Sequence, residues 1–314
     1  MTLNGKLYGK GLIHDHKPDP RGILNDRHLM PPFSVMNTRE GFWSDRKKKW
    51  LKWVGIRSEE GRADELTYSI PETLSDGRPG RKVEAQTSIF DPVLTELAYS
   101  WWAVPGGVIL DPFAGGSVRG IVAAILGYKY WGCELRQEQV DSNRAQLLPD
   151  HCNPHKPRWL CGDSLERIDE APAGDFCLSC PPYGPLEKYS DDPRDISNMT
   201  YEEFLTPYRT IIAKTVAKLR DNCFAGWVVG NFRDKETGVM HDFVGDTVRA
   251  FKRAGAAYYN DIILINNVGS AAMRANTSFK RGARKVVKLH QNLLIFCKGD
   301  PKLAAAKVAP IVED

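Results

Sequence analysis

The sequence predicts an α/β protein built on a doubly wound, mostly parallel sheet. Three apolar runs carry that expectation. Val108-Ile109-Leu110, Tyr130-Trp131-Gly132-Cys133 and Trp159-Leu160-Cys161 end on or just before an acid, respectively Asp111, Glu134 and Asp163, and a stretch with helical spacing separates the first two. A fourth run, Phe176 to Ser179, stops on Cys180-Pro181-Pro182-Tyr183. Two successive prolines cannot continue a ladder or enter a helix interior, so the chain leaves the strand there in a stiff turn. In an open α/β sheet that edge is where ligands bind.

The chain of 314 residues, 42% hydrophobic and 26% charged, suffices for one large domain or one domain with an appendage. Its longest apolar runs fall short of the roughly 18 residues that span a bilayer, and Met1 to Lys10 lacks the apolar core of a signal peptide. No membrane association and a cytoplasmic location are therefore expected. Seven scattered cysteines fit reduced thiols. The net charge of +4 is mild, so the position of the positive residues matters more than their number.

Residues 1–86 read as an irregular N-terminal extension. Its first 40 residues carry Pro18, Pro20, Gly22, Pro31 and Pro32 without sustained periodicity. The following stretch, Phe42 to Trp53, interleaves basic residues with aromatics and reads as a helix. It is either a solvated face whose tryptophans pack inward or an element that contacts phosphates. Residues 57–86 are polar and loop-like, the best candidate for a mobile segment. Asp91-Pro92 then opens a helix with an N-cap and a proline at the first position, and Val93, Leu94, Leu97, Ala98 and Trp101 recur at helical spacing. The strand to Asp111, the turn Pro112-Phe113-Ala114-Gly115-Gly116-Ser117 and a helix from Val118 to Leu126 complete the first β-α unit. Small residues in such a turn let a ligand approach the backbone.

The turn is neither G-x-G-x-x-G nor a Walker lysine loop, which argues against a dinucleotide or a nucleotide phosphate. Glu134, 23 residues after Asp111, stands where a doubly wound fold grips a ribose hydroxyl. Asp111 would repel a pyrophosphate but attract an ammonium, and Asp163 at the next strand end can accept an adenine amino hydrogen. A ribose, an adenine and a cationic amino-acid end together point to S-adenosylmethionine. Each acid alone could equally be a helix N-cap.

At Cys180-Pro181-Pro182-Tyr183 the sequence resembles the catalytic motif of amino-methylating DNA methyltransferases, where Asp, Asn or Ser precedes Pro-Pro and an aromatic. Asp111 to Ser117 resembles their cofactor motif, and Thr87-Ser88-Ile89-Phe90-Asp91-Pro92 looks like the segment that closes over the cofactor's methionine end. Later strands match at Phe224 to Asn231, Asp261 to Ile265 and Asn292 to Lys298. The resemblance covers residues 87 to 299 in unpermuted order and is nearest to methylases carried by bacteriophages, including Pro32 to Val35 and Tyr189 to Asp195. It implies a Rossmann-like class I methyltransferase fold, a seven-stranded mostly parallel sheet with an antiparallel strand at the end, over residues 87–300, and a tail at 301–314. It further implies methylation of double-stranded DNA in a host cytoplasm, the chemistry of restriction-modification. The cofactor residues it implies are Thr87, Ser88, Phe90, Asp111, Pro112, Phe113, Ala114, Gly115, Gly116, Ser117, Glu134, Leu135, Asp163 and Ser164.

In the family the first motif side chain and a prolyl-region carbonyl accept the hydrogens of an exocyclic amine, and the aromatic stacks on a base flipped from the duplex. Cys180 departs from that pattern. A thiol is a weak acceptor but, once ionised, a strong nucleophile. Cys180 therefore reads either as a serine-like residue of the form associated with the cytosine amino group, or as a nucleophile toward carbon 6 that directs the methyl to carbon 5. Amino methylation stands first because familiar carbon-5 enzymes carry their cysteine after the proline. Adenine remains open, as do RNA or protein glutamine substrates and a silent DNA-binding module.

Cys177-x-x-Cys180 lacks the second pair a zinc site needs, and no metal is expected. Residues 184–199 form a polar loop able to close over substrate, followed by a helix capped by Thr200 and Glu203. Residues 266–291 form a long basic loop in which Arg274, Lys280, Arg281, Arg284, Lys285 and Lys288 are the expected DNA contacts.

Overall fold

The computed structural model describes residues 28–39, 41–54, 56, 90–146, 148, 155–186, 188–265, 275, 279 and 284–308. The expected mobile segment 57–86 lies outside the described residues. In chain order the elements begin with β1 (Val35–Asn37), α1 (Gly41–Val54), α2 (Pro92–Trp102), β2 (Val108–Asp111), α3 (Val118–Ile125) and β3 (Lys129–Glu134). Next come α4 (Gln137–Ala145), β4 (Arg158–Cys161), the short α5 (Ser164–Arg167), β5 (Gly174–Ser179), α6 (Tyr201–Lys218) and β6 (Leu219–Val229). A small hairpin of β7 (Phe232–Arg233) and β8 (Met240–His241) precedes α7 (Phe243–Arg253), β9 (Ala256–Ile265), β10 (His290–Lys298) and α8 (Pro301–Lys307).

The main sheet runs β1-β9-β10-β6-β5-β2-β3-β4. β2 to β6 pair in parallel, and β10 lies antiparallel between β6 and β9. Leaving β1 aside, this is the strand order of the class I methyltransferase fold, with the antiparallel strand inserted next to the edge. Order reverses between β2 and β5, the topological switch point of the sheet.

Helices cover both faces, so the central strands are buried on both sides and read as continuous apolar runs rather than alternating ones. Phe176 and Leu178 join the layer of α1, α2, α3 and α4, while Cys177 joins that of α6 and α7. Close packing fixes particular small residues: a Cβ at Gly120 of α3 would stand 2.5 Å from the Trp159 ring of β4. Caps follow the sequence signals. Asp91 accepts from the Val93 amide with Pro92 at the first helical position, and Thr200 and Glu203 form a reciprocal capping box on α6.

Two expectations are corrected. The N-terminal extension is not irregular throughout, because β1 adds an eighth strand parallel to β9, with Val35 to Asn37 in register with Ile263 to Ile265. The segment 301–314 is not merely a tail. Asp300 caps α8 with Pro301 behind it, and Lys307 donates to the Asp221 carbonyl at 2.7 Å. This is the same Asp-Pro signature that opens α2.

The basic run of α1 turns inward by its aromatics. Trp43 and Trp50, seven residues apart, are fully buried. Arg46 forms a bidentate pair with the buried Glu96 of α2 at 2.6 and 2.5 Å, and Trp50 Nε1 donates to the same carboxylate at 2.8 Å. Lys47 pairs with Asp91 at 3.2 Å, leaving Lys48 as the more exposed cation. No helix among the described residues is long and apolar enough to cross a membrane.

Removing one partner of a buried ion pair strands the other charge, at a cost of about 3 kcal/mol. Glu96→Ala is accordingly expected to lower stability by about that amount in urea unfolding. A loss below about 1 kcal/mol would mean that apolar contacts alone dock α1.

Candidate active site

The carboxyl ends of β2, β3, β4 and β5 converge on one cavity of about 770 Å³, within the range of small-molecule and cofactor sites. Pro112 to Gly116, Glu134 with Leu135, Asp163 with Ser164, and Cys180 to Tyr183 all line it. The far wall comes from Phe90, Asp91 and Leu94 at the start of α2 and from Thr38, Arg39, Ser44 and Lys47 of the extension.

The loop after β2 is held from below. Gly115 has φ +51°, which an L side chain rarely adopts. Its amide donates to Glu134 Oε2 at 3.1 Å and its carbonyl accepts from Asn143 Nδ2 at 2.8 Å. Asn143, Gln139 and Arg136 continue that contact as a buried chain of hydrogen bonds along α4. Glu134 Oε1 also accepts from the Arg136 amide at 3.1 Å. The acid at the end of β3 thus fixes the loop as well as facing the cavity.

Asp111 does not face a ligand's ammonium. It is fully buried, and its Oδ2 accepts from Arg119 Nε at 2.5 Å and Tyr130 OH at 2.6 Å. Its Oδ1 accepts from Ser179 Oγ at 2.7 Å and the Phe113 amide at 3.3 Å. The sequence cannot reveal this, because the neutralising Arg119 lies eight residues on, in the helix after the loop. Ser117 is likewise buried and does not line the cavity. Asp163 combines both sequence readings: its Oδ1 caps α5 through the Leu165 amide at 2.8 Å, and the residue lines the cavity. The Ser164 hydroxyl donates to the Pro112 carbonyl, tying the end of β4 to the same loop.

On the other side of the switch point, Ser179 connects both halves. Its hydroxyl donates to Asp111 and accepts from the Phe113 amide at 3.2 Å, immediately before the Cys180 turn. Cys180 is half-buried against the core. Tyr183 is held by Gln291 of β10, whose Nε2 donates to the phenol oxygen at 2.8 Å, and by edge contacts to Phe243 and Phe232 at 5.7 and 6.3 Å between centroids. In the loop 184–199, Tyr189, Arg194, Asp195 and Ile196 reach the cavity. Its acids hold the loop itself: Asp195 caps a short turn and accepts from Ser190, and Asp192 pairs with Arg194.

Thr87, Ser88, Arg274, Lys280 and Arg281 lie outside the described residues. Of the remaining basic positions, Arg284 is exposed and lies over the Phe279 ring at 5.2 Å. Lys285 packs against Gly238. Lys288 turns inward, donating to the Asn231 carbonyl at 3.2 Å, and burial pushes its pKa down to about 8. Arg119, Arg136, Lys47 and Gln291 also line the cavity, although their spacing in the sequence does not mark them as site residues. For Arg119 the signal was a lone cation inside an otherwise apolar helix.

No protein-family model and no curated protein matches the sequence. Among solved structures, TrmN from Thermus thermophilus is similar with a TM-score of 0.43 and 17% identity, over 67% of this chain and 49% of that one. A methyltransferase from Pyrococcus furiosus gives 0.42 and 14% over 81% and 94% of the two chains. ChlM, magnesium protoporphyrin IX methyltransferase from Synechocystis with bound SAM, gives 0.40 and 11% over 62% and 72%. This chain spans about half the length of the first of these. The fold assignment rests on the strand order.

Lys288 supplies a pH signature. Between pH 8 and its ordinary value near 10.4 the unfolded chain binds a proton that the folded chain does not, so its contribution makes stability rise with pH across that window. Relative to Lys288→Met, the unsubstituted protein is expected to gain stability from pH 8 to 10.4 in denaturant titrations. A difference independent of pH would contradict the buried position of the ammonium.

Proposed function

We propose that the protein transfers a methyl group from S-adenosylmethionine to a base flipped out of double-stranded DNA, cytosine before adenine, at the exocyclic amino nitrogen. One observation carries the reading: a single cavity is walled by the Pro112–Gly116 loop with Glu134 and Asp163 on one side and by the Cys180–Tyr183 turn on the other.

The residues fit the cofactor. The glycine loop admits close approach of a ligand to its backbone, Glu134 suits ribose hydroxyls, and Asp163 keeps Oδ2 for an adenine amino group. The cofactor supplies an electrophilic methyl on a sulfonium. The chain supplies orientation and the acceptors. Cys180 and a prolyl carbonyl accept hydrogen bonds from the amino group and so localise the nitrogen lone pair, and the proton displaced by the methyl passes to solvent. Tyr183, pinned by Gln291, offers a flat ring on which the flipped base stacks, offsetting part of the unstacking cost of a few kcal/mol. Arg284 and Lys285, with Arg274, Lys280 and Arg281, carry the charge for phosphate contacts, and Lys288 lies with Tyr183 against Gly230.

The deciding experiment is mass spectrometry of nucleosides after incubating DNA with protein and cofactor. N4-methylcytosine is expected; 5-methylcytosine or N6-methyladenine would replace the base assignment, and methyl incorporated only into RNA or protein would remove DNA as the substrate. Cys180→Ser is expected to retain part of the activity. Complete loss, together with a covalent adduct to 5-fluorocytosine DNA in the unsubstituted protein, would establish attack on carbon 6 instead. Reversing charge at Arg281 and Arg284 together is expected to weaken DNA binding at least about tenfold at low salt and to flatten its salt dependence. Unchanged affinity would remove the loop from the interface.

A further inference from the structure

The correction at Asp111 leaves the site with an unusual charge balance. A class of cofactor with an amino-acid end brings both an ammonium and a carboxylate, and the acid expected to receive the ammonium is already saturated inside the protein. What borders the cavity there is the cation that saturates it. Arg119 is 4% exposed and lines the cavity. Its Nε is committed to Asp111 and its Nη2 to the carbonyls of Phe113 and Ala114 at 2.7 and 3.0 Å. Nη1 has no hydrogen-bond partner among the described residues. The face of the guanidinium stacks on Phe90, which also lines the cavity, with 4.3 Å from Cζ to the ring centroid.

A guanidinium fixed on two of its nitrogens and stacked on a ring loses little further freedom when the third engages a ligand. Burial opposes its charge, but the adjacent Asp111 carboxylate more than offsets that, so it remains cationic. Its partners are arranged to hold it in one orientation rather than to satisfy every donor.

We propose that Arg119 is a carboxylate-binding residue that, through Nη1, holds the α-carboxylate of the cofactor's amino-acid end against Phe90. The assignment rests on the cofactor reading above and adds the residue that distinguishes an amino-acid-bearing ligand from one without a carboxylate. Asp111 is then a positioning residue, acting on the ligand only through Arg119. Lys47, Arg136 and Arg194 also line the cavity but are paired with Asp91, Glu134 and Asp192, which leaves Arg39 of the extension as the competing cation.

The test uses two probes by calorimetry on the full chain: S-adenosylhomocysteine and its decarboxylated counterpart, which keeps the adenosine, thioether and amine. The unsubstituted protein is expected to bind the carboxylate-bearing probe about 10- to 100-fold more tightly, as for a charge-assisted hydrogen bond. Arg119→Lys is expected to reduce that ratio to below about threefold while affinity for the decarboxylated probe stays within about twofold. Because that variant also alters the Asp111 pair, Asp111→Asn with Arg119→Leu removes both charges together and is expected to bind the two probes alike. Equal affinities in the unsubstituted protein, or a ratio that survives Arg119→Lys and collapses in Arg39→Ala or Lys47→Ala, would overturn the assignment. Failure of both probes to bind would overturn the cofactor reading with it, an outcome distinct from equal binding of both.

Discussion

The buried pair of Asp111 and Arg119 is the contact on which both halves of the site depend. Asp111 ends β2, and its carboxylate gathers Tyr130 from β3, Ser179 from β5 and Arg119 from α3. Arg119 in turn holds two carbonyls of the intervening loop. A buried ion pair is weak evidence for stability, since desolvation of both charges opposes their attraction. Its effect here is geometric. Four elements that meet at the switch point are fixed to one another by a carboxylate that accepts four hydrogen bonds, and every donor is itself part of the cavity's frame.

That arrangement couples the loop and the turn through Ser179. The residue before Cys180 shares its hydroxyl between Asp111 and the Phe113 amide, so the turn cannot move without disturbing the loop. Pro181 and Pro182 stiffen the next step of chain. Beyond them Tyr183 is anchored by Gln291 on β10, a strand on the other side of β6. The site is therefore supported from both halves of the sheet, and positional precision of this kind is what transfer chemistry between two bound molecules demands. The N-terminal extension closes the remaining side. Its helix is attached to α2 through Glu96 and Asp91, and Asp91 also caps α2 at the cavity edge.

Local signals in the sequence were dependable wherever a feature is made by neighbours. The N-cap at Asp91, the capping box at Thr200, the strands ending on acids and the turn at Pro181 all depend on residues a few positions apart, and the structure has them in those places. The same signal stands at Asp300-Pro301, where a terminal segment invites the reading of a tail. What could not be read was long-range. Nothing near Glu96 announces that it receives Arg46 and Trp50 from 50 and 46 positions away. Nor does β1 look like a strand: three residues after two prolines acquire that character only by pairing with β9. Asp111 failed for a related reason. Its type and place suggest a ligand, whereas its hydrogen-bond partners and burial, which decide what it can touch, are properties of the folded chain.

The placement of charge has a consequence for how such a site can change. Had Asp111 faced the cavity, the loop's charge and its ligand preference would be one property, and altering either would alter both. With Arg119 between them, the acid sets the position of the cation and the cation meets the cavity, so the buried carboxylate is insulated from any ligand by a full side chain. Glu134 and Asp163 show the opposite arrangement, Glu134 accepting from protein amides through both oxygens and Asp163 through one, while both border the cavity directly. Three acids at equivalent strand ends therefore do unlike work. The difference lies in what each strand packs beside: β2 is central, closed in by neighbours on both sides, whereas β4 is the sheet edge and β3 its neighbour. A carboxylate at the centre must be neutralised to be buried at all. One nearer the edge keeps access to solvent, which is why the outer acids border the cavity and the central one does not.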